Sequence, residues 1–292
     1  MIKEDFIYNA KKKGKLSAYP TTIDDSVISK GEGEKQLEDS TIKLSELQAR
    51  LYAYNKHGLL VVIQGLDASG KDGTIKYVMA NINPQGFTVA SFKPPTTEEL
   101  AHDYLWRCVK KLPERGTIAV FNRSYYEEAL YVRLHENILA KQNLPNFSSA
   151  LFKDENFWET RLADIKNFEK YLINNSIHVL KIYLHISKEE QKNRFIKRIN
   201  TPEKSWKYSL GDIMDRKYWD FYMEIYEKVF KATSTSEAPW YIVPADKKWY
   251  ARAIVSQLIV DKLESLKLIY PDITEKMKAE FIEGLKTLEN EK

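Results

Sequence analysis

The chain has 292 residues, with 43% hydrophobic and 29% charged residues and a net charge of +4. These values fit a soluble globular protein, and the small net charge names no nucleic-acid or membrane partner. A lone cysteine, Cys108, excludes an intrachain disulfide and any multi-thiolate metal centre.

No apolar run is long enough to span a bilayer, and the N-terminus MIKEDFIYNAKKKGK lacks a signal-peptide core. Cytoplasmic placement is therefore expected. Residues 1–40 are polar, with KKKGK and GEGEKQ runs, and read as an extended arm. Residues 41–55 have helical apolar spacing. The run Leu59–Ile63 reads as a buried strand, followed by a glycine-rich loop and a helix to about Ile82.

The loop is the strongest signal. Gly65-Leu66-Asp67-Ala68-Ser69-Gly70-Lys71 has the P-loop spacing, placed between a strand and a helix. Glycines let successive N–H groups, here from Ala68 to Gly73, curl towards an anion, and the helix N-terminus adds partial positive charge. Lys71 brings a mobile full charge. Asp72 stands where Ser or Thr is usual, and Asp67 lies inside the loop. Two carboxylates in a phosphate nest repel a polyanion unless cations lie between them, so Mg2+ is expected, with Mn2+ as a substitute.

Asn83–Gly86 reads as a turn, Phe87–Phe92 as a strand and Thr97–Lys111 as a helix. Ser91-Phe92-Lys93-Pro94-Pro95 ends that strand, so Lys93 and Pro94 are candidates to meet an acceptor nucleotide; packing on the sheet edge is the other reading. Gly116–Phe121 is a short buried strand whose tip is Asn122. Residues 123–134 read as a helix, with Arg123 facing the phosphate crevice and Glu127 one turn on. Asp67, Asn122 and Glu127 form the candidate metal set, and Arg123 and Arg133 the acceptor-phosphate contacts. The plainer reading is a helix cap with a surface ion pair.

Residues 138–150 read as a looped insertion, Phe157–Ile173 as a helix and Ile177–Ile186 as the longest strand. Ser187 caps a helix over Lys188–Ile199, on which Arg194, Lys197 and Arg198 share a face. A basic break follows, with Lys204 and Lys207. Residues 194–211 then read as a lid whose cations meet a transferring phosphoryl group; a solvated basic face is the alternative. Asp212–Lys231 is an aromatic-rich helix, with the stripe Tyr218, Trp219, Tyr222 and Tyr226 expected in the core and not as a base-stacking platform. Trp240–Val243 is a last strand and Trp249–Leu266 a last major helix. The five histidines lack metal-binding spacing. Alternating strands and helices imply a three-layer α/β P-loop kinase fold. Its five-stranded parallel sheet carries helices on both faces, within one domain spanning 41–292.

Together GLDASGKDGT (65–74), SFKPPTTEELAHDYLWR (91–107), FNRSYYEEALYVR (121–133), the region around Arg194–Lys207, and APWYIVPADKKWYAR (238–252) resemble the polyphosphate kinase 2 family. The resemblance spans about residues 40–270. It implies magnesium-dependent phosphoryl transfer between inorganic polyphosphate and adenine or guanine nucleotides. It also implies an essential role for Asp67, and a homo-oligomer, dimer or tetramer. Asn122, where other members show Asp, is similar to the class III subgroup, which phosphorylates both nucleoside mono- and diphosphates. An ATP-dependent nucleotide kinase of the same fold and a non-enzymatic phosphate-binding scaffold are the rival readings.

Overall fold

Every residue of Gly58–Gln64 is buried, as expected of a central strand covered on both faces. In the computed structural model, which describes residues 3–11, 13–206 and 209–291, this strand, β1, is joined by β2 (Phe87–Ser91), β3 (Ile118–Asn122), β4 (Ile177–His185) and β5 (Trp240–Pro244). The sheet order is β2-β3-β1-β4-β5, and all pairings are parallel. The expected three-layer P-loop kinase architecture is therefore present.

Alternation along β1 divides the core in two. Leu59, Val61 and Ile63 face α1 (Lys30–Tyr54), α2 (Lys71–Val78) and α6 (Lys248–Ser265). Leu60 and Val62 face α3 (Glu155–Asn174) and α5 (Trp219–Thr233). Tyr222 and Tyr226 of α5 are buried in that second layer, as their spacing predicts, whereas Tyr218 and Trp219 are only half-buried and Trp219 lines a crevice. The remaining long helices are α4 (Lys188–Ile199), which fits its predicted span, and α7 (Glu275–Glu289), exposed throughout.

Four segments differ from expectation. Helix α1 begins at Lys30, so residues 30–40 are helix and not part of an extended arm. Ser29 and Glu32 form a capping box there, and Gly33 lets α1 approach Trp249, whose ring a β-carbon would meet at 2.3 Å. The two glycines and the polar composition of 30–40 hide this start from a periodicity reading. The preceding stretch is docked: Ile7 bridges Tyr241 in antiparallel fashion, and Tyr8 N–H donates to the Trp240 carbonyl at 2.8 Å. It covers the open edge of β5.

Residues 123–134 are not one helix. Arg123 is left-handed (φ 64°), and two 3-10 turns follow, Tyr125–Glu128 and Val132–Leu134. Tyr125 and Tyr126 are both fully buried, and both hydroxyls reach Glu169, an arrangement set by the 3-10 turn. Residues 97–111 likewise form two single turns, Thr97–Leu100 and Trp106–Val109, and the helix expected over Asp212–Lys231 is broken before Trp219.

His185 ends β4, and burial lowers its pKa to about 4, from an ordinary 6.5. Between these values the unfolded chain binds the extra proton, so stability rises with pH across that window. The contribution is about 3 kcal/mol at neutral pH. Urea unfolding at pH 4.5 and 7 is expected to show a difference that His185→Gln reduces; an unchanged difference would rule out this histidine as its source.

Candidate active site

The loop after β1 owes its shape to backbone that side chains resist. Gly65 has φ 155° and Gly70 φ 104°. A β-carbon on Gly65 would meet Ser69 Oγ at 2.7 Å and the Leu184 carbonyl at 3.0 Å. Ala68 takes the left-handed region without being glycine (φ 62°). The first helical bond of α2 runs from Thr74 N–H to the Gly70 carbonyl, so the N–H groups of Lys71 to Gly73 point past the helix end into the nest. Lys71 Nζ donates to the carbonyls of Gly65 (2.7 Å) and Leu66 (3.2 Å). Burial, and then the Arg123 charge, pull its ammonium below the usual lysine range. A bound phosphate would reverse that pull.

Arg123 enters from the end of β3, adjacent to β1. Its guanidinium donates to Asp67 (2.6 Å) and Glu127 (3.3 Å), joining the loop to the first 3-10 turn. The Glu127 charge raises its pKa further, against burial. The sequence thus locates the Arg123–Glu127 pair correctly but not its geometry, which comes from a left-handed turn and not from a helix face. Asn122 Nδ2 donates to Asp72 (2.8 Å) across the neighbouring strand tip.

A crevice opens in front of this cluster. Asp67, Arg123 and Glu127 form one wall, and Asp212, Asp215 and Arg216 the other. Arg216 donates to Gln191 Oε1 (2.7 Å), and Gln191 Nε2 donates to the Asp67 carbonyl (2.9 Å). Sequence reasoning passed over Gln191, Asp212, Asp215 and Arg216. The available signal was the acid spacing of i, i+3 followed by arginine, directly behind the basic break.

Arg194 does not lie in a free cationic face. It is 8% exposed and uses all five N–H donors internally. They reach Glu190, both Ala68 and Ser69 carbonyls, and the Ala245 and Asp246 carbonyls. Because a peptide's C=O and N–H point oppositely, drawing the Ser69 carbonyl to Arg194 turns the Gly70 N–H the other way. Arg194 therefore braces the loop from behind. Arg194→Ala is expected to cost about 3 kcal/mol of stability, because buried carbonyls and Glu190 lose their partner. Denaturant unfolding beside steady-state kinetics checks this; unchanged stability with a raised polyphosphate KM would return Arg194 to the phosphate contacts.

Other candidate residues are dispersed. Arg133 is buried, paired with Glu155 and set over the Trp158 ring, outside the crevice. Lys93 and Pro94 are exposed beyond β2, where the Lys93 carbonyl accepts from Arg107 (2.8 Å). Arg198 lies 3.6 Å from Asp212. The Lys204 side chain and all of Lys207 fall outside the described residues.

Asp67, Asn122 and Glu127 are not gathered into one ligand set. Arg123 spans the two carboxylates, and Asn122 turns to Asp72. No group of three or more metal-binding side chains occurs among the described residues. A divalent ion nevertheless fits. Asp212 has its pKa raised, first by burial and then by the Asp67 charge, so two acids confront each other across the crevice. Kinase magnesium is commonly held by one or two carboxylates, with phosphate oxygens and water supplying the rest.

The family profile for polyphosphate kinase 2 (PPK2) matches residues 27–270. The chain belongs to the polyphosphate kinase 2 family. An ADP-polyphosphate phosphotransferase of Rhodopseudomonas palustris is 47% identical over 268 residues, 92% of each chain. An AMP/ADP-polyphosphate phosphotransferase of Meiothermus ruber is 41% identical over 267 residues, 90% of this chain and 94% of that one. The crystal structure of polyphosphate kinase 2 from Arthrobacter aurescens superposes with a TM-score of 0.81 at 37% identity. That match covers 96% of this chain and 98% of the other. As a family member the chain is a phosphotransferase, and the loop, Arg123 and the facing acids lie within the matched span.

Proposed function

We propose that this enzyme transfers the terminal phosphoryl group of inorganic polyphosphate to ADP and to AMP, reversibly and with Mg2+, Mn2+ serving as a substitute. The observation that carries the reading is the junction of Asp67, Lys71 and Arg123 at the loop, within a chain of this family. The two relatives differ in acceptor, one named for ADP and the other for AMP and ADP. Asn122 at the β3 tip supports the broader range here.

The reaction needs little proton chemistry. A terminal oxygen of the acceptor phosphate, already ionised at neutral pH, attacks the end phosphorus of the donor. The new P–O bond forms as the P–O–P bond to the rest of the polymer breaks, leaving a chain one phosphate shorter. Positioning and charge neutralisation supply the catalysis. The loop N–H groups and Lys71 hold the donor end, and Arg123 offers two donors where the phosphoryl group passes. Arg216 supplies charge from the opposite wall, and Arg198 stands beside Asp212. Asp67 and Asp212 would hold the divalent ion, which offsets phosphate charge when bound.

Homo-oligomerisation and cytoplasmic placement accompany the proposal. Among the described residues no helix is long and apolar enough to cross a membrane. Exchanging donors at fixed AMP tests the reading against an ATP-dependent nucleotide kinase. Turnover with polyphosphate well above that with ATP is expected; turnover with ATP alone would overturn the proposal.

A further inference from the structure

Beneath the catalytic turn lies a charge network that the chemistry above does not use. Lys181 on β4 is fully buried, and Glu169 on α3 is 2% exposed. Lys181 Nζ donates to Glu169 Oε2 (2.6 Å) and to the Thr233 carbonyl (2.6 Å). Glu169 Oε1 accepts from Tyr125 OH (3.0 Å) and Tyr126 OH (2.8 Å). The Tyr126 ring stands edge-on to Trp240, at 4.8 Å between centroids. These tyrosines directly follow Arg123 and Ser124 and precede Glu127.

A buried ion pair is a poor device for stability alone. Desolvating both charges offsets most of their attraction, and apolar residues of similar size serve as well or better. This pair does something apolar packing cannot. It grips two consecutive tyrosines through their hydroxyls, which fixes the depth and rotation of the 3-10 turn. Gln64 Nε2 and Tyr126 N–H both donate to Ser124 Oγ (3.1 Å each), and Arg123 N–H donates to the Ile63 carbonyl (3.1 Å). The left-handed Arg123 is thus held between β1 and an anchored turn.

We infer that Lys181 and Glu169, acting through Tyr125 and Tyr126, are positioning residues that aim Arg123 and Glu127 into the crevice. The inference rests on the phosphotransferase reading for its kinetic arm only. An error of about 1 Å in such a contact costs on the order of a hundredfold in rate, so the alignment of this turn controls turnover.

The test is the double substitution Lys181→Met with Glu169→Leu, which removes both charges together, beside Tyr126→Phe, which removes one hydroxyl. Thermal unfolding, kcat and KM for polyphosphate, and deuterium exchange over 121–131 are measured in each. The double variant removes both buried charges but strips the Tyr125 and Tyr126 hydroxyls and the Thr233 carbonyl of these partners, so it is expected to fold and to melt below the natural protein. Its kcat is expected to fall about tenfold, with polyphosphate KM within about twofold, because Lys71 and α2 are untouched. Exchange over 121–131 is expected to rise. Natural kcat, or unchanged exchange in that segment, overturns the inference. If the double variant does not fold, Tyr126→Phe decides on the same two readouts, with a smaller fall in kcat expected. The exchange arm needs no turnover, so an inactive natural protein would defeat the functional reading and leave positioning still measurable.

Discussion

Replacing Lys71 by methionine is expected to lower kcat about a hundredfold while the fold persists. The side chain supplies the single mobile full charge inside the nest, and removing one preorganised contact of this kind costs ~3 kcal/mol. Its stem is buried with the loop, so methionine keeps the packing. The ammonium's bonds to the Gly65 and Leu66 carbonyls are lost as well, which loosens the loop it serves. Asp67→Asn is expected to have a similar effect for a different reason. It weakens the ion pair with Arg123 and removes a charge for the divalent ion. Steady-state kinetics at saturating polyphosphate, with circular dichroism to verify folding, checks both. A folded variant of either kind with near-natural kcat would place the chemistry elsewhere.

Arg123→Ala is expected to be at least as damaging. One guanidinium joins Asp67 and Glu127, so its loss leaves two facing carboxylates uncompensated beside incoming phosphates. We expect a fall of about a hundredfold in kcat, with stability changed much less because the residue is partly exposed. Arg123→Lys is expected to recover little, since one ammonium cannot span both acids as the planar fork does. Glu127→Ala removes only one end of the bridge and is expected to harm AMP phosphorylation more than ADP phosphorylation. Rates on both acceptors separate the possibilities. Equal fractional loss would reduce Glu127 to a partner for Arg123, and full activity of Arg123→Ala would remove it from the site.

Some of this was legible in the sequence because the interactions are local. The loop's glycines, Lys71 and the buried run before them occupy a dozen consecutive residues, and their geometry follows from backbone rules. The alternating apolar runs likewise give the five strands and the parallel sheet. The Arg123 turn is hidden because Arg123 and Glu127 have helical spacing, while what breaks the helix is the left-handed backbone at Arg123 and the bonds of both tyrosines to the distant Glu169. Arg194 misled for the opposite reason. Its place on a basic helix face resembles a solvated cation, yet its partners, Ala68 and Ser69, lie more than a hundred positions away. Asp212 and Arg216 acquire meaning only when the broken helix after the basic break comes to line the crevice beside the loop. Long-range contacts of this kind leave no periodic trace.

Drawing phosphoryl groups from inorganic polyphosphate is the activity on which every other role proposed for this chain depends. Its most direct test is nucleotide product analysis after incubating the purified protein with polyphosphate, Mg2+ and ADP, with no ATP added. ATP is expected in proportion to the polyphosphate consumed, and none when Mg2+ is chelated. Folded protein that forms no ATP above background, with magnesium and polyphosphate both present, would contradict it.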